Sequence, residues 1–246
     1  MRLKLIGCKV LMRELYALCA ESEHVVDIEW MEAALHETPK ELRRAIQEKI
    51  DAVEGNEREA YDAILLGFGL CSMGIVGLRT AKYPLIVPRA HDCITMLLGS
   101  RARYDALFRE HSGGVYWYSP GWIEQFKSPG RGYGDQDKYM AYVEKYGEDN
   151  ARYLIATERG WTQSYSCATL IRWPMFAGRD FYERATREAA EASGLAYVEE
   201  PGDDALLKKL VGGEWDGEFM ILRPGEELAY SGDERILCAR GEKGKA

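Results

Sequence analysis

The sequence predicts an α/β protein: a mainly parallel, Rossmann-like or flavodoxin-like sheet with helices on both faces, then a helix-rich second half with an additional βαβ unit. Three observations predict it. Short apolar runs at 3–6, 25–30, 63–66 and 85–87 recur along the first half, with helical spacing between most of them. The runs Ile64-Leu65-Leu66 and Leu85-Ile86-Val87 do not alternate with polar residues, as expected of parallel strands covered on both faces. The chain has 246 residues, 46% of them hydrophobic, which is enough for a substantial core.

The first strand, 3–6, closes at Gly7-Cys8, and Leu11, Leu15 and Leu18 give the helix that follows its apolar face. The second strand leads through Leu35-His36-Glu37 to Thr38-Pro39-Lys40-Glu41, a capping box with proline at the first helical position. That helix presents Leu42, Ile46, Ile50 and Val53 on one side and ends at Glu54-Gly55-Asn56. The third strand breaks into Gly67-Phe68-Gly69-Leu70-Cys71-Ser72-Met73-Gly74. The fourth is stopped by Pro88, which cannot donate to a ladder, and Asp92 caps a helix that begins near Cys93.

Beyond a helix at 103–110, a fifth strand at 115–118 ends at Ser119-Pro120-Gly121-Trp122. The Gly/Pro-rich stretch 127–134 divides the chain into a Rossmann-like α/β lobe, 1–126, and a helix-rich α/β lobe, 127–246. Residues 137–173 read as helical, and Tyr139, Tyr142, Tyr146, Tyr153, Trp161 and Tyr165 either line a pocket or, in the blander and favoured account, pack on the first lobe. A helix at 179–193 has Gly194 as its cap, and strands at 195–198 and 219–222 flank a helix from Asp203 to about Val211. That order resembles residues 25–66 and suggests a weak duplication. The tail 241–246 is expected to fray.

A formal charge of -8 and the lack of a basic stripe argue against nucleic acid as partner. No segment approaches the roughly 20 apolar residues of a membrane span, and the N-terminus lacks the apolar run of a signal peptide. The expected place is the cytoplasm, and the expected partner a small molecule or a protein. In a reducing compartment the six cysteines are not a disulfide framework.

Right-handed crossovers put every strand-to-helix junction on one sheet edge. Cys8, Cys71 and Cys93 occupy such junctions, His36 follows the second strand, and His91 precedes Cys93 by two positions. With strand order 2-1-3-4-5, strands one, three and four are neighbours, so the three thiols converge at the switch point within reach of one metal. The blander account is that each cysteine fills space. Cys19, Cys167, read as part of the long helix, and Cys238 are assigned to packing. In the first turn of a helix Cys93 is also placed to be a thiolate nucleophile, with His36 or His91 as its base. Arg89 is a candidate for holding an anionic substrate, or else pairs with a carboxylate. Gly67 and Gly69 open a partial dinucleotide fingerprint, a weak match because Ser72 stands where Gly or Ala is needed. No P-loop is present. The Pro-Gly-acid turns at 200–204 and 223–227 read as solvated turns, with Asp203 as a cap.

Gly7-Cys8, Leu35-His36, Gly67-Phe68-Gly69-Leu70-Cys71, Arg89-Ala90-His91-Asp92-Cys93 with Gly99, Gly121-Trp122 and late Gly-Asp, Leu-Leu and Gly-x-Trp-Asp signals resemble the DUF1638 family. The resemblance implies a bacterial or archaeal origin, often anaerobic, and frequent association with corrinoid-dependent methyltransferase systems, so a corrinoid protein or methyltransferase as partner. It implies no settled reaction. It carries the motif cysteines onto Cys8, Cys71 and Cys93 and the motif histidines onto His36 and His91. The first expectation is a metalloprotein whose three thiolates hold zinc or an iron-sulfur cluster, acting on a small thiol, methylated or corrinoid-linked substrate. The alternative is a non-metal ligand-binding or accessory protein of such a system.

Overall fold

The computed structural model describes residues 1–111, 114–126, 135–160, 165–176, 178 and 180–241. The strands are β1 (Arg2–Cys8), β2 (Val25–Met31), β3 (Ala63–Gly67), β4 (Leu85–Pro88), β5 (Val115–Tyr118), β6 (Cys167–Arg172), β7 (Ala196–Pro201), β8 (Phe219–Leu222), β9 (Leu228–Tyr230) and β10 (Leu237–Ala239). The helices are α1 (Met12–Glu21), α2 (Pro39–Glu54), α3 (Cys93–Leu97), α4 (Arg101–Glu110), α5 (Pro120–Gln125), α6 (Asp135–Tyr146), α7 (Glu148–Gly160), α8 (Asp180–Ser193) and α9 (Ala205–Gly212). Two units result: Met1–Arg103 with Asp203–Ala246, and Tyr104–Gly202. The division expected at 126/127 falls inside the second. The loop 127–134 that suggested it, Trp161 and the tail 242–246 lie outside the described residues.

The first unit holds a mostly parallel five-strand sheet in the order β2-β1-β3-β4-β8. Its first four places are those expected. β1 runs parallel to β2 and β3, and β3 to β4, while β8 closes the sheet antiparallel to β4, pairing Leu85 with Leu222 and Pro88 with Phe219. The expected fifth strand, β5, belongs to the other unit. Strand periodicity reports burial and carries no address, so the return of the chain after the second unit was not readable from it. The faces of the first two helices are as expected: Leu11, Leu15 and Leu18 are buried, as are Leu42, Ile46, Ile50 and Val53, which cluster with Ile64, Leu66, Leu85 and Val87. Each fully buried Leu or Ile contributes about 1.5–3 kcal/mol. The capping box at Thr38 does not form. Its hydroxyl donates back to the Leu35 carbonyl at 3.4 Å, and Pro39 starts α2 without a side-chain cap.

The second unit has its own parallel sheet, β5-β6-β7. It corrects two expectations. Residues 137–173 are not one helix: Gly147, at φ 82°, separates α6 from α7, and Cys167 lies in a strand. β6 is buried at Cys167, Ala168, Thr169, Leu170 and Ile171, the covered-both-faces pattern of a central parallel strand, which an aromatic-rich helical reading had absorbed. Nor do β7 and β8 form a βαβ unit, because they belong to different sheets. Arg172 holds β6 to its surroundings through Glu199 at 2.7 Å and Glu183 at 2.9 Å. Among the described residues no helix is long and apolar enough to cross a membrane.

One carboxylate organises the connection into β4. Glu54, at the end of α2, accepts hydrogen bonds from the Thr80 hydroxyl at 2.7 Å and from the N–H groups of Ala81, Lys82 and Tyr83 at 3.0, 2.8 and 3.2 Å. Burial works to raise its pKa, but these donors outweigh burial and hold the carboxyl below its ordinary range. A depressed carboxyl contributes stability that is present above its unfolded pKa and is lost as pH falls through the folded one. Glu54→Ala should therefore cost about 2 kcal/mol near neutral pH. In urea titrations taken down from neutral pH through the ordinary glutamate value of about 4.3 and below it, the variant's stability should change less with pH than that of the wild type. An unchanged pH slope would count against the carboxylate's role.

Candidate functional site

At the carboxyl ends of β1, β3 and β4 the backbone comes unusually close together, and glycine makes this achievable. Gly7 and Gly67 sit opposite each other in register, and a Cβ on Gly67 would lie 3.0 Å from the Gly7 Cα. A Cβ on Gly69 would lie 2.7 Å from the Asp92 nitrogen and 2.9 Å from the Ala90 oxygen. That contact lets the loop after β3 lie on the turn after β4, where Leu70 N–H donates to the Ala90 carbonyl at 2.8 Å and Cys71 N–H to the His91 carbonyl at 2.9 Å. Both glycines of the partial nucleotide fingerprint thus stand where two stretches of backbone approach closely.

The loop then takes an uncommon path. Cys71, Ser72 and Met73 have φ of 45°, 56° and 67°, three successive left-handed residues, none of them glycine. Each costs about 1–2 kcal/mol, because the Cβ crowds the following carbonyl. Cys93 opens α3, and Asp92 caps it as expected, accepting from Thr95 N–H at 3.0 Å and the Thr95 hydroxyl at 3.2 Å.

The three motif thiols are half-buried, and Cys8 and Cys71 pack against the same core cluster. Burial pushes the Cys93 thiol well above its ordinary range, and Asp92, Cys71 and Cys8 push it further. Burial, Cys8 and Asp92 together push Cys71 up to about 12. Burial also raises Cys8, with Glu32 adding to it. Burial and an adjacent carboxylate both oppose the thiolate expected at Cys93 from the helix start.

The remaining candidates are placed differently. His36, in a 3-10 turn entered through left-handed Ala34, is exposed, and so is His91. Among the described residues neither ring makes a hydrogen bond. The Arg89 guanidinium donates to the carbonyls of Phe219 at 3.2 Å, Arg235 at 2.7 Å and Leu237, and contacts the Met220 sulfur at 3.6 Å. It ties β4 to the C-terminal strands. Among the described residues no three His, Cys, Asp or Glu side chains are grouped as they stand around a metal ion.

A family model described as a protein of unknown function, DUF1638, matches residues 30–211, more than half of the chain. The chain belongs to the DUF1638 family. The matched stretch includes His36, Cys71, Arg89, His91 and Cys93 and leaves Cys8 outside it. No curated protein and no solved structure matches. Beside the residues named from the sequence, Asp92 belongs to the site, because it caps the helix that Cys93 opens and its N–H lies against Gly69. Ser72 and Met73 gave no sequence signal at all, since neither residue type marks a left-handed turn.

Proposed function

We propose that the C-terminal edge of the first unit's sheet is a thiolate centre for zinc or an iron-sulfur cluster, held by Cys8, Cys71 and Cys93. One observation carries the reading: the order β2-β1-β3-β4 brings the ends of β1, β3 and β4, and with them the junctions that bear Cys8, Cys71 and Cys93, to one sheet edge, where the Cys71 N–H meets the His91 carbonyl. The donor set fits, since thiolates prefer zinc and iron-sulfur clusters over hard cations. The acidic neighbours Asp92 and Glu32 suit a cation and oppose the bare thiolate that a nucleophilic Cys93 requires. The parallel order of the first four strands supports a flavodoxin-like reading, in which ligands bind outside the carboxyl ends at a switch point.

Three protein ligands leave a four-coordinate ion one open position, where a small thiol or a methylated or corrinoid-linked substrate of one-carbon metabolism would bind. Such an ion supplies Lewis-acid activation of a bound thiol. A second reading, a non-metal ligand-binding or accessory protein of a corrinoid methyltransferase system, is favoured by the ungrouped side chains. On the first reading the thiols turn about χ1 to close the set.

The test is anaerobic purification with metal analysis and visible absorption, followed by zinc titration. The wild type and Cys19→Ser should carry metal, and Cys71→Ser and Cys93→Ser should lose it. Uptake displaces up to three protons from thiols held protonated by burial, so zinc affinity should rise with pH by as much as about a thousandfold per unit. A wild type free of metal that also takes up no zinc would sink the first reading in favour of the second.

A further inference from the structure

We infer that the open edge of β2 is a pairing surface for a second copy of this chain, the two β2 strands lying antiparallel about a two-fold axis at Ile28. The inference stands apart from the thiolate reading. β2 is the outermost strand of the five-strand sheet and is bonded to β1 on one side. Among the described residues, no strand, loop or side chain hydrogen-bonds to its other side. Edge strands are ordinarily blunted by shortness, lysine, proline or a bulge. β2 has none of these. It is seven residues long, a length that only β1 equals among the described strands, and it contains neither Lys nor Pro. Its register with β1 runs unbroken from Val25 to Met31. Apolar surface also stands open beside it: Val25 is 61% exposed, and so in large part is Tyr16, whose hydroxyl accepts from the Trp30 indole N–H at 2.7 Å.

The order of side chains along β2 identifies the partner. Val25-Val26-Asp27-Ile28-Glu29-Trp30-Met31 gives the same succession from either end: apolar, apolar, acid, apolar, acid, apolar, apolar. A two-fold interface sets each patch against its own copy and so requires a self-complementary surface, whereas an unrelated strand has no need of this symmetry. With Ile28 on the axis it faces its own counterpart, Val26 faces Trp30, and Val25 faces Met31. On one face Val26, Ile28 and Trp30, half-buried in the single chain, then form a row of β-branched and aromatic pairs, which stabilise neighbouring strands. On the other face Asp27 meets Glu29. Both acids already hold cations, Asp27 through Arg2 at 2.8 Å and Glu29 through Lys49 at 2.6 Å and Lys4 at 3.4 Å, so the facing charges are balanced within each copy. Because the paired strands run antiparallel, the carboxyl edges of the two sheets point in opposite directions, and each copy keeps its own strand-end residues.

Sedimentation of the whole chain at micromolar concentration should give twice the 27.9 kDa of one copy. Ile28→Lys sets two ammonium groups against each other on the axis, and should give the mass of one copy with an unchanged circular dichroism spectrum. Ile28→Cys tests the register. Opposed Cβ atoms of an antiparallel pair lie about 4.5–5.5 Å apart, so oxidation by diamide should link the copies into a covalent dimer on a non-reducing gel. Val26→Cys is the control: its counterpart lies four residues along, about 13 Å away, and it should link no more than the wild type does. Should Ile28→Lys fail to fold, the cysteine pair decides alone. A wild type that sediments as one copy, a folded Ile28→Lys that stays paired, or linking no greater in Ile28→Cys than in Val26→Cys overturns the inference.

Discussion

Arg89→Ala should cost the first unit about 3–4 kcal/mol, read as a shift of the urea midpoint at neutral pH. The side chain is partly buried, and its donors serve three backbone carbonyls, those of Phe219, Arg235 and Leu237. Hydrogen bonds from a charged donor contribute about 1.5–3 kcal/mol each, and removing the donor leaves the carbonyls to find water. Because the site is only partly buried, water recovers some of that loss, which keeps the figure below the sum. Arg89→Lys should recover less than half, since one ammonium on a flexible stem cannot span carbonyls that a planar fork reaches together. The experiment also separates two roles. An arginine kept for a substrate anion would leave the midpoint nearly unchanged on truncation, and that result would refute the strut.

Much of the first unit was legible because its signals are local and physical. Apolar runs without alternation marked β3 and β4, and periodic leucines and isoleucines marked the buried faces of α1 and α2. Asp92 announced a cap and is one. Because strand-to-helix junctions share an edge in any parallel sheet, the ends of β1, β3 and β4 could be placed side by side from topology alone. What escaped was set by tertiary context. The antiparallel partner of β4 arrives only after the second unit, and no residue of Phe219–Leu222 advertises its direction. Burial works against the thiolate expected at Cys93, because a helix start gives no measure of how much protein surrounds the sulfur. The left-handed run at Cys71, Ser72 and Met73 escaped for the opposite reason: its residues disagree with their own conformation, and propensity reads only agreement.

Gly69→Ala should cost about 2–4 kcal/mol and abolish metal binding at the thiol centre, although it touches no thiol. The added methyl would sit 2.7 Å from the Asp92 nitrogen and 2.9 Å from both the Ala90 oxygen and the Asp92 Cα. All three are backbone atoms, so no rotamer change relieves the clash, and the loop after β3 must lift off the turn after β4. Lifting it breaks the Leu70–Ala90 and Cys71–His91 hydrogen bonds and carries the Cys71 sulfur away from Cys93 and Asp92. Gly67→Ala is the control: its nearest new contacts are the Gly7 Cα at 3.0 Å and the movable Leu15 Cδ1 at 3.3 Å, so a few tenths of an ångström suffice. Zinc titration and the reaction rate of Cys71 with a thiol reagent should separate the two variants, with Gly69→Ala reacting faster and binding no zinc while Gly67→Ala stays near the wild type. If Gly69 instead served a dinucleotide phosphate, Gly69→Ala would leave the thiols as they are, and unchanged zinc binding would favour that role over chain approach.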